Sequence, residues 1–149
     1  MHRYTVRALV AVAVLLVAGA ARAQATPVGV WKSIDDDSKK EKSLIRITEN
    51  GGELQGKIEK LIREPGQDQN PKCVACTDAR KNQPILGMTI VSGLRKQGDD
   101  YDGGEILDPN NGKVYKSKVT LRDGGKKLDV RGYIGVPMFG RSQVWLRQE

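Results

Sequence analysis

Histidine is all but missing from this chain. The only one, His2, falls in the N-terminal leader. Without it, Ser-His-Asp and Cys-His catalysis lose their general base. His-based zinc sites lose their ligand as well. No G-x-S-x-G elbow is present, and no glycine-rich loop opens a helix as a phosphate cradle does. Carboxylate pairs assemble in space rather than in sequence, and no particular pair stands out here. The chain is therefore not expected to be an enzyme, and no cofactor or metal is expected.

Long apolar runs are equally scarce. One covers residues 8–18. Arg3 and Arg7 precede it, and the small-x-small triplet Ala21-Arg22-Ala23 follows. This is the layout of a secretory signal peptide over residues 1–23. An uncleaved anchor is the alternative, but the run falls short of the ~20 residues that a spanning helix needs. No cysteine stands at the cleavage site, so no lipid anchor is expected there. Cleavage after Ala23 or Ala25 leaves about 125 residues, one ordinary domain over residues 24–149. No second segment is apolar for long enough to cross a membrane, so the expected location is periplasmic or secreted.

Blocks of one charge sign are lacking too. The net charge of +7 falls to about +4 once Arg3, Arg7 and Arg22 leave with the leader. The excess is spread along the chain, and no Lys/Arg block interleaves with aromatics as a nucleic-acid surface would need. Nucleic acid is not an expected partner.

No stretch reads as a long amphipathic helix. Turn signals recur at short intervals with period-two patterning between them, which predicts an antiparallel sandwich or barrel of about eight strands. The strands fall near residues 30–34, 43–48, 54–60, 85–94, 103–108, 113–121, 127–134 and 141–147. "ENGG" after the second is a strong hairpin signal, because Asn and Gly accept positive φ. The fourth strand is expected to place Leu86, Met88, Ile90 and Leu94 on one face. Residues 62–84 lack clean periodicity and hold three prolines and both cysteines. A loop this long in a compact domain is often functional, and one short turn is expected near residues 77–82.

Cys73 and Cys76 are spaced Cys-x-x-Cys. A thioredoxin-type site needs the first cysteine at a helix N-terminus, and the flanks "NPK" and "TDAR" offer a loop instead. A zinc site wants four ligands, and only carboxylates such as Asp78 could supplement the pair. An oxidising compartment favours a disulfide between Cys73 and Cys76, with redox and metal roles as the alternatives. Residues 35–37, residues 99–102 and "DPNNGK" are acidic enough to suggest calcium. In the last the glycine falls one place early, and Val119 stands where a bidentate Glu is required. Pro109, Asn110, Asn111 and Gly112 are simply good turn chemistry.

Trp31 in "GVW" opens the first strand, and Trp145 in "VWLR" lies in the last. By period two, Arg141, Trp145 and Arg147 share a face. First and last strands pair in an up-and-down barrel, which would bring Trp31 to the arginines for stacking. A G-x-W first strand with a closing-strand arginine resembles the lipocalin and avidin group of ligand-binding barrels, which implies a calycin-like fold. A plain core tryptophan is the competing reading of Trp31. More widely, "LQGKIEKL", "NPKCVACTDARKNQPILGMTIVSGL", "GGEILDPNNGKVYKSKVTL" and "LDVRGYIGVPMFGRSQVWLR" resemble the bacterial exported family called domain of unknown function 2147. The resemblance covers nearly the whole chain after the leader. It implies a small envelope β-barrel and carries no activity, substrate or catalytic residue.

The leading functional expectation is a non-enzymatic binding module for a small apolar or amphipathic ligand. Met88, Ile90, Tyr115, Val119, Leu128 and Val130 are its candidate lining residues. The same side chains could instead fill the barrel. A second expectation is an envelope interaction or stress-related protein, with an apolar surface around Pro137, Met138 and Phe139. A third is a thiol oxidoreductase using Cys73 and Cys76.

Overall fold

A computed structural model describes residues 25–148; the leader expected at residues 1–23 lies outside them. Eight strands run in chain order: β1 (Gly29–Ile34), β2 (Glu41–Asn50), β3 (Glu53–Leu61), β4 (Thr89–Gln97), β5 (Asp100–Asp108), β6 (Lys113–Arg122), β7 (Lys127–Tyr133) and β8 (Gly140–Arg147). Each pairs antiparallel with the next, and β8 pairs with β1, so the sheet closes into an up-and-down barrel. One 3-10 turn at Asp123–Gly125 is the helical content among the described residues. No helix among them is long and apolar enough to cross a membrane.

The connections follow from local chemistry. Asn50 pairs with Glu53 across Gly51 and Gly52, whose φ angles are 59° and 78°. Both central residues of a two-residue I′ hairpin need positive φ, which glycine supplies without steric cost. This turn and the short connections after β4 and β6 gather at one end of the barrel, with the start of β1 and the end of β8. The other four connections, after β1, β3, β5 and β7, form the opposite end.

Two expected strands end up shorter. β4 begins at Thr89 rather than at residue 85. Gly87 at φ 83° turns the chain before it, and Leu86 is exposed. Inside β4, Gly93 at φ 74° forms a bulge, so Val91 and Leu94 face Gly56 and Leu54 in place of a strict alternation. β7 stops at Tyr133, because the turn at Gly135 (φ 77°) leaves Ile134 in solvent.

The long loop after β3 is tied down. Cys73 and Cys76 form a disulfide, and both are buried. Cys73 N–H donates to Gln83 O (2.9 Å), Asn82 N–H to Cys73 O (2.8 Å) and Ile85 N–H to Pro71 O (3.0 Å). Ile85 and Met88 then enter the core. The cysteine segment packs on the β5–β6 turn so closely that a Cβ at Gly112 would strike the Ala75 carbonyl. The Cys73 sulfur lies 3.5 Å from Pro109 O, a contact without a hydrogen bond, since a disulfide sulfur has no proton. The expected turn near residues 77–82 is present as two successive turns, closed by Lys81 N–H on Asp78 O (3.0 Å) and Gln83 N–H on Arg80 O (3.0 Å). Replacing both cysteines with alanine should lower stability by roughly 2 kcal/mol, the loop-entropy value for so short a ring. A urea midpoint shift with an unchanged β spectrum in circular dichroism is the expected result.

Candidate functional site: a one-ended cavity in the barrel

The interior divides into a packed half and a hollow half. In the packed half, beside the three short turns, Trp31, Leu54, Leu94, Val119 and Leu128 are fully buried, with Tyr101 close to it. Arg147 closes this end. Its guanidinium carbon sits 4.2 Å from the centroid of the Trp31 ring. Its N–H groups donate to Gly125 O (2.6 Å), Val28 O (2.9 Å) and Thr26 O (2.5 Å). Trp31 Nε1 donates to Pro27 O at 2.7 Å. Burial pulls the Arg147 pKa down, yet an arginine stays charged at any ordinary pH.

Above this plug lies a cavity of about 1270 Å³, vestibule included. Its walls carry Ile45 (β2), Ile58 (β3), Ile90 (β4), Ile106 (β5), Val130 (β7) and Trp145 (β8). The volume exceeds the ~300–1,000 Å³ of ordinary small-molecule pockets, partly because the rim loops enclose open space above the barrel. Small side chains keep the interior hollow: Ser33, Ser43 and Gly132 stand where larger residues would fill it. Their polarity is mostly spent internally. Ser33 Oγ and Ser43 Oγ share a 2.7 Å hydrogen bond, and Trp145 Nε1 donates to Gln143 Oε1 at 3.2 Å.

The rim is charged and largely self-paired. Lys42 Nζ lies 3.4 Å from Asp35, Arg141 lies 3.3 Å from Asp36 and 3.8 Å from Asp37, and Lys40 lies 2.5 Å from Glu64. Ser38 N–H donates to Asp35 Oδ1 at 2.8 Å, and the Ser38 hydroxyl does so at 2.9 Å. These two bonds, backed by Lys42, hold the Asp35 pKa down to about 2. Lys40 lowers the Glu64 pKa, and Glu64 raises that of Lys40, by hydrogen bonding first and charge second. Next to this network, the β7–β8 tip is apolar, with Ile134 67%, Met138 80% and Phe139 70% exposed.

The residues expected from sequence fall in three places. Ile90, Tyr115 and Val130 line the cavity. Val119 and Leu128 are buried in the packed half, and Met88 is buried where the cysteine loop rejoins the sheet. The expected Trp/Arg cluster splits along β8. Arg147 stacks on Trp31, Trp145 floors the cavity, and Arg141 stands at the rim. Six residues of strand at ~3.3 Å each put Arg141 about 20 Å from Arg147, too far to share one tryptophan. Ile45, Ile58 and Ile106 were not among the expected lining residues. Their signal was available: in an up-and-down barrel, the half of each strand nearest the long connections faces the open end.

Among the described residues, no three His, Cys, Asp or Glu side chains gather as a metal site requires. The acidic segments at residues 35–37 and 99–102 are engaged with Lys42, Arg141 and Lys118. Burial of both cysteines removes the access that thiol–disulfide exchange needs. The rim also has a defined acid limit. A carboxyl with a depressed folded-state pKa stabilises the fold above its unfolded value of 3.8, and that contribution is lost as pH falls through about 2. A carboxyl-carbon NMR titration should therefore find Asp35 still ionised at about pH 3. The Asp35→Asn variant should loosen the β1–β2 loop at neutral pH.

A solved structure described as "Protein HP1028 from the human pathogen Helicobacter pylori belongs to the lipocalin family" superposes with a TM-score of 0.69. The match covers 84% of each chain at 19% identity, a likeness of fold. A search of curated proteins gives no match. The family model described as "Uncharacterized protein conserved in bacteria (DUF2147)" matches residues 29–147, from the first residue of β1 to the last of β8. The chain is a lipocalin-like eight-stranded barrel and belongs to the DUF2147 family.

Proposed function

We propose that this protein is a non-enzymatic, exported binding module that holds one small apolar or amphipathic ligand in the open half of its barrel. The observation that carries the reading is the cavity itself. Isoleucine, valine and tryptophan wall it, Arg147 on Trp31 seals it below, and the loop end is its way in. Burying an alkyl chain there gains roughly 25 cal/mol for each Å² of apolar surface removed from water. Export is supported by the leader pattern at residues 1–23 and by the disulfide, which persists in oxidising compartments.

The neutral dye N-phenyl-1-naphthylamine tests the cavity, because it brightens when it leaves water. Wild-type protein should bind it with quenching of Trp145. The Val130→Trp variant puts an indole into the cavity and should lose most of the binding. Overpacking costs typically 1–3 kcal/mol, so a urea midpoint must show the variant folded. Unchanged dye binding in folded Val130→Trp would overturn the reading.

A second reading, a surface-interaction role without a small ligand, is favoured by the exposed apolar tip between β7 and β8. Val136 and Met138 lie on that tip and off the cavity wall. The double variant V136S/M138S should then lose co-sedimentation with lipid vesicles while keeping dye binding. Equal sedimentation of variant and wild type counts against it.

A further inference from the structure

We propose that the ligand is a single-chain amphiphile with an anionic oxygen head, carboxylate or phosphate, and that Arg63 is its counter-charge. The proposal rests on the cavity-binding reading and specifies its ligand class.

Five cations border the cavity: Lys39, Lys40, Lys42, Arg63 and Arg141. Lys40, Lys42 and Arg141 are paired with Glu64, Asp35 and Asp36. Glu41 is taken by Lys32 at 2.8 Å, and Asp108 Oδ1 accepts from Asn110 N–H at 2.9 Å. Lys39 is exposed and solvated. Arg63 differs from all of these. Its residue is partly buried, its Nε is fully buried, and Nε has no hydrogen-bond partner among the described residues. No ion pair engages its guanidinium there either.

A buried charged donor without an acceptor is costly, and native folds retain few of them. An oxyanion supplied by a ligand removes that cost. The guanidinium presents a planar fork of donors that matches a carboxylate or phosphate bidentately. Its position suits the role. Arg63 follows β3 by two residues, where Ile62 N–H donates to Lys42 O (2.8 Å) and fixes the chain at the rim. Leu61, Ile62 and Ile85 line the cavity beside it, and Ile58 continues the apolar wall inward. A head held at Arg63 would therefore leave its alkyl chain on this wall, pointing towards Trp145. Lys40, Lys42 and Arg141 already have carboxylate partners, and Lys39 points its charge into solvent, away from any buried site.

The test compares dodecanoate, dodecyl phosphate and dodecan-1-ol by displacement of N-phenyl-1-naphthylamine from wild-type, Arg63→Gln and Arg63→Lys protein. Wild type should bind at least one anion more tightly than the alcohol, on the order of tenfold, as a charge-assisted bidentate contact implies. Arg63→Gln should bring that anion to the alcohol's affinity and leave the alcohol unchanged, so the alcohol also reports that the variant is folded. Arg63→Lys should recover part of the difference. If the anion preference survives in Arg63→Gln, or if wild type shows none, the assignment to Arg63 is wrong while the cavity reading stands. If wild type binds neither the dye nor any of the three chains, the cavity reading itself fails.

Discussion

The pairing of β8 with β1 is the interaction on which the rest of the barrel depends. It joins Trp31 to Arg147, Lys32 to Leu146 and Ser33 to Trp145. An eight-stranded sheet left open would present two unpaired edges and an unclosed interior. Closure removes both. The ladder here is short, and Arg147 reinforces it by stacking on Trp31 and bonding carbonyls on the segment before β1 and on the β6–β7 turn. Hydrogen bonds from a charged donor are worth ~1.5–3 kcal/mol each, and a desolvated cation–π contact about 2 kcal/mol. These contributions are not additive, but together they outweigh any ion pair on the rim, where exposed pairs contribute ~0–1 kcal/mol.

That seal sets the polarity of the molecule. The turns after β2, β4 and β6 read "NGGE", "QGDD" and "RDGGK", and their end is polar outside and packed inside. At the other end, Ser33, Ser43 and Gly132 keep the interior open. The cysteine loop is built onto that end and clamps the β5–β6 turn at Gly112. The disulfide thus acts as a structural fixture of the mouth. One end is spent on stability, which leaves the other free to carry a cavity, a charged rim and an apolar tip.

Much of the fold was legible because barrel strands advertise themselves locally. Ile45 and Ile47 alternate, Asn50 to Gly52 can make a tight I′ turn, and Trp31 and Arg147 bracket the chain. The errors came where one glycine resets the period. Gly87 turns Leu86 away from the inward face that Met88, Ile90 and Leu94 keep, and Gly135 releases Ile134. The candidate site was legible only in part. Period two says that Val119, Leu128 and Val130 face inward, and all three are buried. It does not say at which height along the barrel the side chains stop meeting. That is why Val130 borders the cavity while Val119 and Leu128 lie in the packed half.

What the sequence determined by itself is local in origin: the all-β class, about eight strands, the tight turns between several of them and the long loop that carries both cysteines. Each rests on residues close together in the chain, where backbone sterics and side-chain period act directly. Only the tertiary structure decided that the barrel is hollow at one end, that Arg141 and Arg147 serve opposite ends, and that Arg63 holds a buried guanidinium nitrogen with no partner among the described residues. Those properties depend on volumes and charges contributed by strands far apart in sequence. Packing and pairing are sums over such neighbours, and no single stretch of sequence contains the sum.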